Sequence, residues 1–468
     1  MMAPLKLEAD YVIVGTGAVG MAFADIIIHE SDASVILIDS FAKPGGHWND
    51  AYPFVQLHQP AAYYGVSSRK LDSGRREQGN LNSGLHELSS GAALLAYYDD
   101  IMRQDFLPTG RVQYFPMCDF DGENSFTSKV TGEVYKVEAQ RALVDCTFLK
   151  TTIPKTHTPN FTRDDDVRFM PLNDLPTLTD APDGFVVIGG GKTGLDACLW
   201  LLQNGVSPDD IRWVLSRDAW WLDRENTQPT VDFFDQTMGT QAAMMESVGE
   251  AESMEDMFDR LEACGYFLRL HDERPTMFHG ATISRAERDE IRKIKGVIRK
   301  GYVTHIGMNE IALVEGSIST TPNTVHVDCS ASALQPLDPR LVFNNGTITP
   351  QMIRPYQPVF SAALTAHIEL NLEDEAKKNM LCAPVALPDA DSDFIRFTSQ
   401  GFVNQYLWSQ EPTVRDWMDD DRLAGPAAMM RDVSPDDEEK MAVIKRIRRA
   451  GPAAIGKLNA FKERYGLE

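Results

Sequence analysis

Two glycine clusters in this chain have the spacing that cradles a pyrophosphate. Gly15-Thr16-Gly17-Ala18-Val19-Gly20 and Gly189-Gly190-Gly191-Lys192-Thr193-Gly194 both read G-x-G-x-x-G. The first glycine of such a turn permits a sharp passage from strand to helix. The second lets backbone approach the phosphates, and the third lets helix and strand pack closely. The pyrophosphate then meets unpaired N–H groups and the positive dipole end of the helix. Gly15, Gly17 and Gly20 are therefore candidates to hold one dinucleotide. Gly189, Gly191 and Gly194, with Lys192 and Thr193, are candidates for a second. Gly191-Lys192-Thr193 also invites a P-loop reading. That motif needs a glycine where Val186 stands, so the reading fails.

The residue closing the next strand tells the two nucleotides apart. After Gly20 the chain runs to Val35-Ile36-Leu37-Ile38 and then Asp39. A carboxylate there accepts hydrogen bonds from ribose hydroxyls and repels a 2′-phosphate, which suits FAD or NAD. In the second unit Trp213-Val214-Leu215-Ser216 is followed by Arg217. A guanidinium fork there suits the 2′-phosphate of NADPH. Asp218 follows directly and keeps NADH open, as does a reading of Arg217 as a solvated surface arginine.

Each cluster needs a strand before it and a helix after it. Tyr11–Val14 and Phe185–Ile188 read as buried strands; Met21–His29 and Leu195–Gln203 have helical spacing. The expected fold is α/β, with two Rossmann-like dinucleotide-binding domains, the NADPH domain inserted in the FAD domain, and a helical C-terminal tail. The expected boundaries are 1–155 for the first part of the FAD domain and 180–330 for the NAD(P)H domain. A helical insertion is expected at about 225–295, a return to the FAD domain over 331–410, and the tail over 411–468. Further strands are expected at Val112–Phe115, Val134–Glu138 and Leu143–Thr147, with a helix over Ala92–Gln104 and a linker over Thr152–Asp183. Ser284 and Glu287 have capping-box spacing for a helix through Lys295. The last acidic-to-basic helix is expected to close before Gly451-Pro452. The Met-rich stretch Met244–Met257 reads as core.

A net charge of −23 disfavours nucleic acid as a partner, because a phosphate backbone calls for a basic face. No apolar run reaches membrane-span length, and the start at Met1-Met2-Ala3-Pro4 leaves no room for a signal peptide. The expectation is a cytoplasmic protein without membrane or nucleic-acid contact, and a homo-oligomer is compatible with it. The six cysteines form no C-x-x-C pair, and no His/Cys/Asp cluster has metal-ligand spacing.

With Asp39, Arg217 and the Gly45-Gly46-His47-Trp48 turn in view, the chain resembles the flavin-containing monooxygenase-like class of two-dinucleotide flavoproteins. Tyr52-Pro53 is similar to the related Baeyer–Villiger enzymes. The resemblance implies FAD and NADPH as cofactors, and a small-molecule substrate and oxygen as reactants. It implies oxygenation through a flavin C4a-hydroperoxide. It also implies that Gly46, His47 and Trp48 lie beside the flavin, with Trp48, Asn49 and Asp50 lining the reaction site. The loop Leu57–Gly65, carrying His58 and Gln59, is a candidate cover for the flavin or face toward substrate. Gln357 precedes the helix Val359–Leu370, whose N-terminus points at the flavin in similar proteins. Two departures stand out. Phe148–Pro154 lacks the F-x-G-x-x-x-H pattern of that class, and Asp145-Cys146-Thr147 replaces its A-T-G strand end. The alternatives are an NADPH-dependent flavin reductase or dehydrogenase without oxygenation, and a non-enzymatic redox sensor.

Overall fold

The computed structural model describes residues 4–149, 151–332, 337–431 and 433–467. Met1–Ala3 of the N-terminal reading and Lys150 of the Phe148–Pro154 stretch lie outside the described residues.

Leu5–Val14 forms the centre of the first sheet. It pairs in parallel with Val35–Ile38 on one side and Val134–Asp145 on the other. Val112–Phe115 and Thr347–Ile348 extend the sheet outward, also in parallel. The segment expected as two strands, Val134–Glu138 and Leu143–Thr147, is one strand of 12 residues. Its register against Leu5–Val14 shifts between Ala9 and Tyr11, and that irregularity lets one long strand follow a twisted neighbour. The helix Ala18–Glu30 is buried without interruption from Gly20 to Ile28. A helix this apolar, with Asp25 its one buried charged residue, belongs between layers. Here it packs against Pro358–Asn371, which is buried from Val359 to Ile368.

The second sheet has five parallel strands in the order Gly296–Ile298, Ile211–Val214, Phe185–Ile188, Val325–Asp328 and Phe169–Pro171. All five fall in sequence between Asp145 and Thr347 of the first sheet, so the second unit is inserted into the first. The stretch expected as a linker, Thr152–Asp183, supplies the edge strand Phe169–Pro171 and a short strand, Thr162–Arg163, paired with Val303–Ile306. Its prolines suggested irregular chain; an edge strand tolerates Pro171 because one side of its backbone needs no partner.

The helix Lys192–Gln203 ends at Asn204, with Gly205 at φ +85° just past its end. Beyond it, the stretch read as helical carries Thr240–Glu250 and Met254–Ala263. It also carries strands Phe267–Leu268 and Met277–Ile283, which flank Ala219–Asp223 in a separate three-stranded sheet. Met244, Met245 and Met257 are core residues there. The capping box of Ser284 and Glu287 is formed, but its helix stops at Ile291 instead of Lys295.

The last helix, Glu438–Tyr465, runs straight through Gly451-Pro452, where local signals end it. An interior proline costs about 3 kcal/mol in helix propensity. Ala450, Ala454, Leu458 and Phe461 are buried in the core shared with Met244, Met245 and Val248 of Thr240–Glu250. That apolar contact outweighs the local penalty.

The two third glycines are the tightest points of the fold. A Cβ on Gly20 would overlap the Gly15 carbonyl oxygen, and one on Gly194 would overlap that of Gly189. A Cβ on Gly191 would meet open space. Gly20→Ala and Gly194→Ala should each destabilise by about 2–3 kcal/mol, seen as a several-degree fall in melting temperature. Gly191→Ala should stay within about 1 kcal/mol. Equal melting of all three variants would show that the crossings relax freely.

Candidate functional site

Both glycine turns open into one cleft of about 1630 Å³. Small-ligand pockets occupy roughly 300–1,000 Å³, so this one has room for more than a single ligand. Gly15, Gly17, Gly46, Gly189, Gly191, Lys192 and Thr193 line it together. Gly20 and Gly194 do not; they stand behind the turns as packing points.

The first turn is built by backbone that only glycine adopts readily. Gly15 sits at φ +94°, Gly45 at +123° and Gly46 at +55°. A Cβ on Gly46 would lie 2.9 Å from Gly17 Cα, so the Gly45–Trp48 turn rests directly on the fingerprint. Gly17 and Gly191 start their helices with no side-chain cap. The leading N–H groups of both helices are thereby left for an anionic ligand, and the residues fit a pyrophosphate at each turn.

Asp39 is buried on the cleft wall. Its Oδ2 accepts from the Thr16 amide and hydroxyl at 2.5 Å each, and its Oδ1 accepts from the Phe41 amide at 2.7 Å. The carboxylate is thus fixed at the strand end where a ribose is expected.

The turn after Gly45 splits the expected residues. His47, Trp48 and Asp50 line the cleft. Trp48 Nε1 donates to the Tyr64 hydroxyl at 3.1 Å. Asn49 is not on the cleft wall: its Nδ2 donates to the carbonyls of Gly46 and Lys43 at 3.0 and 3.2 Å and ties the turn together. Asp50 Oδ1 lies 3.6 Å from Lys155 Nζ.

His58 and Gln59 line the cleft. The Thr282 amide donates to His58 Nδ1 at 3.3 Å, which leaves the ring proton on Nε2. Arg224 Nε donates to the His58 carbonyl at 2.9 Å and holds the loop. Burial, with Lys192 and Arg224 nearby, pushes the His58 pKa down to about 3. Burial alone pushes His47 down to about 4. Both imidazoles are neutral at physiological pH.

At the second turn Gly189 sits at φ +136°, and a Cβ on Gly190 would lie 2.8 Å from the Arg217 carbonyl oxygen. Lys192 pairs with Asp196, whose other oxygen accepts from the Tyr52 hydroxyl at 2.6 Å. Arg217 lines the cleft, but its fork is engaged. Its two Nη atoms donate to the two oxygens of Asp389 at 2.9 and 2.7 Å. Asp218 is also held by two bonds, from Arg299 Nε and Nη2 at 2.6 and 2.9 Å. Gln357 is not on the cleft wall; its Oε1 accepts from Arg354 Nη1 at 3.3 Å, while its neighbours Tyr356 and Pro358 line the wall. Sequence reasoning missed Asp196, His279, Tyr302, Tyr356 and Asp389, all on the wall. Tyr356 had a signal in retrospect, since it lies beside Gln357 at a helix start.

Cys146 and Cys329 also reach the cleft, and burial raises both thiols well above their usual range. Among the described residues, no helix is long and apolar enough to cross a membrane.

A five-stranded parallel sheet inserted in a larger mixed sheet, with both glycine turns on one cleft, defines an α/β fold of two Rossmann-like dinucleotide-binding units. The uncharacterized protein Rv2000 of Mycobacterium tuberculosis is 40% identical over 442 residues, spanning 94% of this chain and 81% of that protein. The chain belongs to the same family as this mycobacterial protein. No family model matches. Among solved structures, an ε-caprolactone-bound cyclohexanone monooxygenase aligns with 88% of this chain and 98% of its own, at 14% identity and a TM-score of 0.48. The bacillithiol disulfide reductase of Staphylococcus aureus aligns with 78% and 99%, at 11% identity and a TM-score of 0.46.

The neutral, half-buried His58 ties stability to pH. Its folded pKa lies below the unfolded value of about 6.5, so the unfolded chain takes up the proton first as pH falls. The stabilisation is present above pH 6.5 and is lost as pH falls toward 3. His58→Gln should therefore flatten the loss of urea resistance between about pH 7 and pH 4.5. Parallel pH profiles for variant and wild type would contradict an imidazole held neutral in the fold.

Proposed function

We propose that this protein is an FAD-dependent oxidoreductase that uses NADPH and oxygenates a small molecule. The observation that supports the reading is one cleft lined by both glycine turns, in which two bound dinucleotides would lie within reach of each other. The N-terminus of Ala18–Glu30 would hold the FAD pyrophosphate, and Asp39 the ribose. The N-terminus of Lys192–Gln203 would hold the pyrophosphate of NADPH, and Arg217 its 2′-phosphate. Bound flavin supplies a centre that takes hydride from nicotinamide and then meets oxygen.

The chain's own residues set the character of the reaction site. Trp48 and Tyr64 form a hydrogen-bonded aromatic wall at the first turn. His47 and His58 are neutral, so neither delivers an acidic proton to the cleft near pH 7. A dry site poor in proton donors favours oxygen transfer over release of hydrogen peroxide. His58 Nε2–H remains a donor able to orient a substrate carbonyl oxygen or amine nitrogen. Trp48, Asp50, His58 and Gln59 are the residues assigned to the reaction site; Asn49 acts through the turn it ties.

A second reading keeps both nucleotides and ends in plain reduction of an acceptor. It is favoured by Phe148–Pro154, which departs from the pattern of the oxygenating class.

The purified protein should be yellow, release FAD on denaturation, and bleach with NADPH under nitrogen. On admitting oxygen, NADPH consumption should rise with substrate and match oxygenated product one to one. Stoichiometric peroxide across amines, sulfides and ketones would give the second reading instead. A colourless protein that takes up no FAD would overturn both.

A further inference from the structure

Arg217 follows the strand Ile211–Val214, which lies beside the central strand of the second unit, with its backbone against the glycine turn and its side chain on the cleft wall. Its fork is filled by a carboxylate from 172 residues further along the chain. Each Nη meets one oxygen of Asp389, and His279 Nε2 lies 2.9 Å from Asp389 Oδ1. Two oxygens of one anion on two Nη atoms is also how a guanidinium takes a phosphate. We propose that Asp389 sets the choice of nicotinamide cofactor: its carboxylate occupies the place on Arg217 that an adenosine 2′-phosphate takes, so NADPH binds by displacing it and NADH leaves the pair intact. The proposal rests on the assignment of the second glycine turn to the nicotinamide dinucleotide.

The surroundings decide how far Asp389 can retreat. Its backbone is held. The Phe278 amide donates to the Asp389 carbonyl at 3.0 Å, and the amides of Asp389 and Ala390 both donate to Asp393 Oδ2 at 2.9 Å. Asp391 is tied to the Thr276 carbonyl at 3.1 Å. Only the Asp389 side chain can turn away, by giving up its bonds to Arg217 and His279. It is 48% exposed, so rotating into water leaves no buried charge behind. A pair this exposed exchanges partners readily. Yet the displaced carboxylate stays within a side chain's length of the incoming phosphate. Arg217 and His279 hold its carboxyl down at about 2, so it is an anion at any physiological pH. Two anions then compete for one cation, and the cost falls on NADPH alone. NADH carries a ribose hydroxyl at this point, which a carboxylate accepts. Tyr302, exposed on the same wall beside Arg217, offers a face on which the adenine of either cofactor stacks.

Titration of the full-length, FAD-loaded protein with NADPH, NADH and 2′,5′-ADP tests this. Asp389→Asn should tighten NADPH and 2′,5′-ADP roughly 10-fold while moving NADH less than about 2-fold. Asp389→Glu, which keeps the charge, should keep the wild-type ratio of the two cofactors. Arg217→Ala should weaken NADPH and erase the gain from Asp389→Asn. The proposal alone falls if Arg217→Ala weakens NADPH but Asp389→Asn leaves the NADPH-to-NADH ratio unchanged. If Arg217→Ala changes neither nicotinamide nor 2′,5′-ADP, the assignment of the second site falls, and this proposal with it.

Discussion

Everything in this molecule hangs on two crossings where a helix leaves a strand with no room for a side chain. At Gly20 and Gly194 the helix backbone lies against the carbonyl of the first glycine of its own turn. That closeness sets the helix axis so that its first N–H groups point past the strand end instead of into the sheet. Gly17 and Gly191 then begin their helices without side-chain caps, and Gly46 presses against Gly17. A methyl group at either crossing would push helix and strand apart, and the donors would lose their aim.

Topology turns two such ends into one cleft. The second sheet is inserted between Val134–Asp145 and Thr347–Ile348 of the first, so the chain leaves and re-enters the first unit beside its glycine turn. The C-terminal chain reinforces this placement. Asp389 reaches Arg217 of the second unit, Trp408 packs in the core of the first, and Glu438–Tyr465 covers Thr240–Glu250 of the insertion. One contiguous chain therefore fixes the relative position of the two turns, a requirement for any reaction that passes a hydride between two cofactors.

What the sequence revealed was local. Strand, glycine turn, helix and the residue closing the next strand occupy about 30 neighbouring positions in such a unit, and each has its own propensity or backbone signal. The site residues that escaped were those with no local cause. Asp389 meets Arg217 across 172 positions, and His279 meets Asp389 across 110. Arg217 was legible as a phosphate-type fork, but the acid that fills it was not. Asn49 sits one residue from Trp48, yet the tight turn Gly46–Asp50 sends its side chain to the turn's own carbonyls. Pro452 shows the converse: a strong local stop signal is overridden by apolar packing that only the folded chain supplies.

A common electrostatic theme runs through the cleft. Asp39 is held by Thr16 and Phe41, Lys192 by Asp196, and Arg217 by Asp389. A half-buried charge without a partner is costly, so the cleft satisfies each one internally. Ligand binding at these points is then an exchange of hydrogen-bond partners, not a capture by free charge. Exchange lowers the net gain from each charged contact, since an existing pair is broken as a new one forms. Discrimination between similar ligands then depends on which internal partner yields. The chain carries 68 acidic residues against 45 Lys and Arg, so internal anions are available to play that part. Against that background the backbone N–H groups at the two uncapped helix starts, with no acidic residue in either first turn, are the donors that an anion meets without breaking an internal pair, and this returns the burden of recognition to the two glycine crossings.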